Sequence, residues 1–451
     1  MTLLDEFDGC DLGDERRDGR LLALVDALAR DPEMSFPEAL GYGRHLEAAY
    51  RFLNNPLVDA KAILRPHILA TAARMQQHKR VLVLHDTTHM QPSAKAVRNG
   101  MGEDGFRVHT SLAVSANGRR EPLGLVAMES WARPDAEERP KRTTKERRED
   151  ENRESKRWLR QSIDVEALVD GVRLIHVEDR EADIYESLGV RLQRNMAFIV
   201  RAQAYRTVIV DGHTENILEH MRARTRLFRR TVKLSRRAKP VGKSSHSERD
   251  GRVAELAIAA ASVVIRSPRV PGADAGSSSI SVNVVHVIEE NVATDEPPVE
   301  WLLLTTEPIE TPEQVEFVID SYRTRWMIEE YFKALKSGCA YESRQLESYP
   351  ALQSALSIFA VIAWRLLCMR FLARDDSDPP ATRVMSDVEL KILRAQGRVG
   401  ANPNIVEALR AVAALGGHLK PNGEPGWEVL WRGFRSLRDL VSGYQLALKE
   451  M

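Results

Sequence analysis

The 451-residue sequence predicts a mixed α/β fold, a sheet-and-helix core with helical segments at either end. Three observations lead there. Between residues 80 and 200, short apolar runs of strand length alternate with helix-periodic stretches. A β-branched region follows to about residue 305. Helical texture covers residues 1 to about 75 and returns after the β region to run to the C-terminus.

The bulk numbers set limits. Charged residues at 29% and hydrophobic ones at 43% are a globular balance. The length is enough for two or three domains. A formal net charge of zero argues against a simple polyanion-coating protein. The charge is segregated, however: from Arg222 to Lys243 there are ten Lys or Arg and no acid, which reads as a nucleic-acid-facing surface or a solvated segment. Cys10, Cys339 and Cys368 are scattered, so no disulfide framework or structural zinc is expected. The acidic start is not a signal peptide, and the run Ala355 to Trp364 is too short to span a bilayer. A cytoplasmic protein without membrane contact is the expectation.

In chain order, Leu21 to Leu28 and Ala48 to Leu53 give apolar stripes in a small helical module broken at Asn54-Asn55-Pro56. The pattern allows either a packing appendage or a DNA-contacting module. Val81 to Leu84 reads as a central strand buried on both faces, ending at His85-Asp86-Thr87-Thr88. Val108 to Ser115 and Pro122 to Met128 read as strands joined by a turn at Asn117-Gly118. Pro134 to Arg157 is charged and aperiodic, a loop or solvated helix start. The strand Gly171 to Val177 runs into Glu178-Asp179-Arg180-Glu181, then come a helix over Ala182 to Gln193 and a strand over Ala197 to Val200. From about 205 to 305 an inserted β-rich subdomain is expected, with a Gly/Ser/Pro tip at Ser267 to Ser279. Beyond it, an apolar helix over Ala351 to Ala373, a linker at Asp375 to Pro380 and a helical tail complete the chain.

One helix organises the rest. Thr311 suits its N-cap, Pro312 its first position, Gln314 closes a capping box, and Gly338 is the stop. With about 3.6 residues per turn, Tyr322, Arg325, Glu329 and Lys336 fall along one edge of this helix. Ile328, Tyr331, Phe332 and Leu335 form the apolar neighbour of that edge. A carboxylate flanked by cations suits a group that holds a metal ion beside a polyanion. An ordinary surface ion pair between Arg325 and Glu329 is the alternative.

Asp86 and Asp179 end two buried strands. If those strands are neighbours, about 4.8 Å apart, both carboxylates reach one small volume, and Glu329 supplies the third. Three carboxylates at one point need divalent cations, and hard oxygen ligands favour Mg²⁺ or Mn²⁺.

The motifs Leu84-His85-Asp86-Thr87-Thr88, Val177-Glu178-Asp179-Arg180-Glu181-Ala182-Asp183 and Tyr322-x2-Arg325-x3-Glu329-x6-Lys336 resemble the signatures of bacterial DDE transposases of the insertion-sequence-four family. Ala49 to Phe52, Glu154 to Trp158, Trp301 to Thr306 and Asp439 to Tyr444 extend the resemblance over nearly the whole chain. It implies a ribonuclease-H-like catalytic core over 76–373 with the β insertion inside it. A helical DNA-binding domain over 1–75 and a helical dimerisation region over 374–451 would flank that core. It implies a cut-and-paste transposase that nicks transposon-end repeats, passes through a hairpin and joins 3′-OH ends to target DNA. By motif match Asp86, Asp179 and Glu329 would hold two Mg²⁺ ions, with Mn²⁺ able to substitute. Tyr322, Arg325, Lys336, Lys333 and Arg201 would contact DNA phosphates. Trp301 would stack on a flipped base and Trp326 would fill the space it leaves; packing in the core is the alternative for each. The partners implied are double-stranded DNA and a second copy of the chain in a synaptic complex. Lys156 stands where the family commonly has glycine, and the tail is short.

Two rival readings stay open: a catalytically silent end-binding protein, and a phosphohydrolase with Asp86 as nucleophile. The latter usually needs a second Asp two residues on, where this chain has Thr88.

Overall fold

The structure is a computed structural model. It describes residues 3–92, 101, 105–133, 146, 150, 153–234, 251–267, 279–292, 298–373, 380–419 and 425–450. Most of the charged segment after Pro134, the centre of the Gly/Ser/Pro tip, the linker 374–379 and the basic run beyond Leu234 lie outside the described residues.

Four helices open the chain: α1 (Glu15–Arg30), α2 (Phe36–Leu40), α3 (Arg44–Leu53) and α4 (Ala60–Met75). The stripe Leu21, Leu24, Val25 and Leu28 is fully buried, as its spacing requires. A buried polar knot fixes the start of the chain to α4. Glu6 accepts from Arg74 at 2.8 Å and lies 2.5 Å from His67, whose other ring nitrogen accepts from the Leu125 amide.

The sheet starts at β1 (Arg80–Met90), followed by β2 (Phe106–Ser115), β3 (Pro122–Ala132), α5 (Glu154–Glu166), β4 (Arg173–Glu178), α6 (Tyr185–Gln193) and β5 (Ala197–Arg201). The spatial order is β3-β2-β1-β4-β5, antiparallel from β3 to β1 and parallel from β1 through β5. With helices on both faces this is the ribonuclease-H-like core. The β2–β3 connection differs from the expected two-residue turn. Its left-handed residue is Arg120, with φ at 56°. Asn117 instead accepts from the Arg119 amide as an Asx turn.

The β-rich region is not a separate sheet. It comprises β6 (Thr207–Val210), β7 (His213–Asn216), α7 (Ile217–Ala223), β8 (Phe228–Leu234), β9 (Arg252–Arg266), β10 (Ser279–Glu290) and β11 (Glu300–Thr305). Strand β11 pairs antiparallel with β5, so the eleven strands of the described residues form one continuous sheet. Pairing on β5 satisfies an edge that would otherwise stay open.

Side-chain alternation divides the core. Leu82 and Leu84 of β1, Ile175 and Val177 of β4, Ala197 and Ile199 of β5 and Leu303 of β11 belong to one apolar cluster. That cluster includes α8 (Pro312–Thr324), α9 (Trp326–Lys333) and α10 (Tyr349–Ala373). The alternate residues face the other way, Val81 and Val83 towards α5, and Phe198 and Val200 towards α6.

By length and composition α10 could cross a membrane, but it is packed against α4 and β3 inside the protein. Beyond it, α11 (Asp387–Ala395), α12 (Ile405–Leu415) and α13 (Trp427–Glu450) share their own apolar cluster. From α13, Arg435 pairs with Asp31 (3.1 Å) and Glu33 (3.0 Å) beside α1.

Candidate active site

Register brings the two aspartates together. The last parallel pair between β1 and β4 is Leu84 with Val177, so Asp86 and Asp179 follow two residues later on adjacent chains. Both share the parity of Leu84 and Val177 and face α8 and α9. Asp86 does not end its strand, as the sequence suggested. β1 continues to Met90 on its antiparallel partner β2, and only the parallel pairing stops before Asp86. The same row carries on across the sheet: Val177 pairs with Ile199, which puts Arg201 level with Asp179, and Arg201 pairs with Leu303.

The helix above this row is not continuous. The Thr311 and Gln314 capping box forms as its spacing requires, but α8 stops at Thr324. There the Thr324 hydroxyl donates to the Asp320 carbonyl at 2.7 Å. The Arg325 amide turns to Tyr322 instead of the carbonyl one residue earlier. α9 then restarts at Trp326 and ends in a π-turn over Ala334–Gly338, closed by the Cys339 amide on Ala334. The break sits at the residue that matters most.

Arg325 donates to Asp86 Oδ2 at 3.1 Å and to Glu329 Oε1 at 2.5 Å. Burial disfavours its charge, but Asp86, Tyr322, Glu329 and Asp179 outweigh that and hold the guanidinium firmly protonated. Asp86 responds the other way. Burial and the nearby Asp179 and Glu329 carboxylates outweigh Arg325 and the Thr87 amide, and its pKa is pushed up to about 7. Asp179 is raised too, mainly by burial, while the Glu181 amide at 2.8 Å and Arg325 oppose the rise. Arg325 thus bonds two of the three carboxylates directly, while Asp179 feels Arg325 and Arg201 only through their charge.

That donor set fits a hard divalent cation. The carboxylates are not drawn into a coordination cage: among the described residues no group of three or more His, Cys, Asp or Glu is close enough to hold a metal. Arg325 stands between Asp86 and Glu329 instead.

The other expected contacts spread around this centre. Trp301 on β11 is half-buried and meets the buried Tyr322 edge to face, with ring centroids 5.6 Å apart. Arg201 donates to the Glu300 carbonyl at 3.2 Å, while its Nε is buried without a partner. Trp326 is 60% exposed, which excludes core packing as the reason for its presence. Lys333 is exposed. Lys336 is turned to the end of β1, where it donates to the His89 carbonyl and lies 3.7 Å from Glu342.

Sequence reading passed over Arg180. Burial and the adjacent Arg201 lower its pKa, against Tyr322, Asp179 and Glu300. Arg180, next in sequence to Asp179, and Arg201, level with it on β5, are two guanidiniums of the kind that seek phosphate. Its place directly after Asp179 was the available signal.

The opposite sheet face is a polar floor. His85 lies 2.8 Å from both His176 and Ser111, Gln161 donates to Ser111, and His176 reaches Glu166. The motif Glu154 to Trp158 belongs to this brace. Glu154 accepts from Trp131 and Arg133, Arg157 lies over the Trp131 ring, and Trp158 packs on His109.

Comparison with known families gives two matches. Residues 3–58 match the family described as transposase DNA-binding, and residues 183–365 match the transposase DDE domain. The second span includes Trp301, Tyr322, Arg325, Glu329 and Lys336 and begins four residues after Asp179. Among solved structures, the chain is similar to the piggyBac transposase synaptic complex with hairpin DNA. The identity is 11%, with 95% of this chain and 76% of that one covered, at a TM-score of 0.38. So loose a likeness carries no argument.

Proposed function

We propose that this protein, a DDE-type DNA transposase by the two domains it carries, is a cut-and-paste enzyme of the insertion-sequence-four type, resembling the transposon-five transposase. The observation that carries this reading is the single row of Asp86, Asp179 and Arg201 beneath Arg325 and Glu329.

Asp86, Asp179 and Glu329 would hold two Mg²⁺ ions, or Mn²⁺ in their place. When bound, such ions supply an activated water and stabilise the leaving oxygen of a phosphodiester. The chain's own residues do the rest. Arg201, Arg180 and Lys333 offer guanidinium and ammonium groups to the phosphates of the transposon end. Arg325, already seated between two carboxylates, and Lys336 orient the terminal nucleotides. Hydrolysis frees a 3′-hydroxyl, which attacks the opposite strand to close a hairpin; water reopens it, and the hydroxyl then joins target DNA.

Closing a hairpin bends the backbone sharply and unstacks a base. Trp301, backed by Tyr322, would offer the face for that base, and Trp326, exposed and so free of the core, would fill the space the base leaves. The N-terminal helical domain (1–75) binds the end repeats, the core (76–373, with its β insertion at about 205–305) cuts, and the C-terminal region (374–451) supports a homodimeric synaptic complex. A bacterial cytoplasmic setting at the nucleoid suits these partners.

The test is incubation with the element's own terminal DNA and Mg²⁺, resolved on denaturing gels. Nicked and hairpin products are expected. Bound but uncut DNA favours the silent end-binding alternative, and phosphatase activity without strand cleavage favours the phosphohydrolase.

A further inference from the structure

The stretch from Glu178 to Asp183 carries Asp179, and it is gripped at both ends. On one side Glu178 is fully buried and faces away from the candidate site. It accepts from both terminal nitrogens of Arg191, one of them at 2.7 Å, and from Ser162 at 3.3 Å. Arg191 is fully buried as well and also donates to Ser162 at 3.1 Å. On the other side the Asp183 carboxylate is sealed from solvent. It accepts from Arg206 Nε at 2.7 Å and from the Gln203 amide at 2.7 Å, while Arg206 Nη2 takes the Asp183 carbonyl. Gln203 closes the span between them by donating to the Arg180 carbonyl at 2.9 Å.

Stability alone does not explain such pairs. A buried ion pair loses hydration energy that its attraction repays only in part, and an apolar pair of similar volume often serves as well or better. What a forked pair adds, even with the Arg191 Nε left without a hydrogen-bond partner, is geometry. Here two of them bracket one carboxylate. They tie its backbone to α5 and α6 on one side and to the loop after β5 on the other.

We propose that Arg191 and Arg206 are positioning residues that fix Asp179 as a metal ligand, acting through Glu178 and Asp183. The inference rests on the reading of Asp179 given above. Neither arginine reaches the metal site; each holds one end of the segment that presents the ligand. Support of this kind is worth about 10–100-fold in metal affinity where ligands are held by such outer contacts.

Mn²⁺ binding to the full DNA-free chain, followed by electron paramagnetic resonance, tests it without recourse to activity. Arg191→Lys and Arg206→Lys keep the charge and lose the fork. Each is expected to weaken Mn²⁺ binding by about tenfold, with affinity for end DNA within about twofold of the parent. Unchanged Mn²⁺ affinity in the folded variants overturns the clamp. So does a parallel loss of DNA affinity, which would mean general loosening. If Arg191→Lys does not fold, Arg206→Lys, at a partly accessible site, decides the matter. A parent chain that binds no Mn²⁺ overturns both this inference and the metal-site reading, whereas normal parent binding with unmoved variants overturns the clamp alone.

Discussion

Arg325 donates to Asp86 at 3.1 Å across 239 positions of sequence, and the same guanidinium holds Glu329, one helical turn away, at 2.5 Å. One cation therefore neutralises two of the three carboxylates on which cleavage would depend. Both partners of the long-range pair are largely buried, with side chains 15% and 16% exposed. Removing either leaves a charge poorly solvated.

Arg325→Gln is expected to lower stability in chelator by about 1–3 kcal/mol, the cost of leaving a buried charged group without its partner. Mg²⁺ should recover part of that loss, because Asp86 and Glu329, no longer paired with Arg325, then bind the ion more readily. Urea denaturation with and without Mg²⁺ checks this; a loss of the same size in both buffers counts against a shared role for guanidinium and metal.

Asp179→Ala removes a candidate ligand without touching the N-terminal helices. It should still retard end DNA in a gel and give no nick in Mg²⁺. Cleavage that survives the change removes Asp179 from the site.

Trp301→Ala should slow hairpin formation more than first nicking. Base–aromatic stacking is worth about 1–3 kcal/mol, so the hairpin step should fall by roughly five- to 150-fold. Because Trp301 also packs on Tyr322, a small loss in melting temperature is expected alongside. Equal slowing of both steps argues against stacking.

Acid should destabilise the fold through buried neutral histidines. Burial, with Arg157 and Arg191 adding to it and Glu129 opposing, drives His109 down to about 3. His67 is also lowered, by burial above all, although Glu6 pulls it up. A histidine depressed in the folded state stabilises fully above its unfolded pKa of about 6.5 and loses that contribution as pH falls towards the folded value. For His109 the loss is about 2 kcal/mol by pH 5. His109→Phe gives up the 2.8 Å bond to Thr87 but should flatten the decline between pH 6.5 and 5 in urea titrations. An unchanged slope would show that His109 is protonated without penalty.

Much of this arrangement was legible in the sequence because it follows from alternation. Leu82, Leu84 and Asp86 share a strand face, as do Ile175, Val177 and Asp179, so apolar runs that end in an acid on the same parity aim that acid where the core helices lie. The capping box of α8 was equally plain, being a local pattern. What depended on tertiary contacts was not. The break at Arg325 arises from a Thr324 back-bond and a guanidinium drawn to Asp86, whereas propensity alone favours a continuous helix. The β-rich region looked separable because nothing in β11 announces that it will pair with β5. Strand β1 looked shorter than it is because Asp86, Thr87 and Thr88 read as a stop, while β2 supplies partners as far as Met90. Arg191 and Arg206 gave no signal, since their carboxylate partners lie 13 and 23 positions away.

The central claim is geometric, and diffraction from crystals soaked in Mn²⁺ addresses it most directly through the anomalous signal of the metal. Two peaks about 3.5–4 Å apart, bound by oxygens of Asp86, Asp179 and Glu329 with Arg325 withdrawn from Asp86, are expected. Peaks elsewhere, or saturating Mn²⁺ that leaves the Arg325–Asp86 pair in place and all three carboxylates unligated, would contradict it.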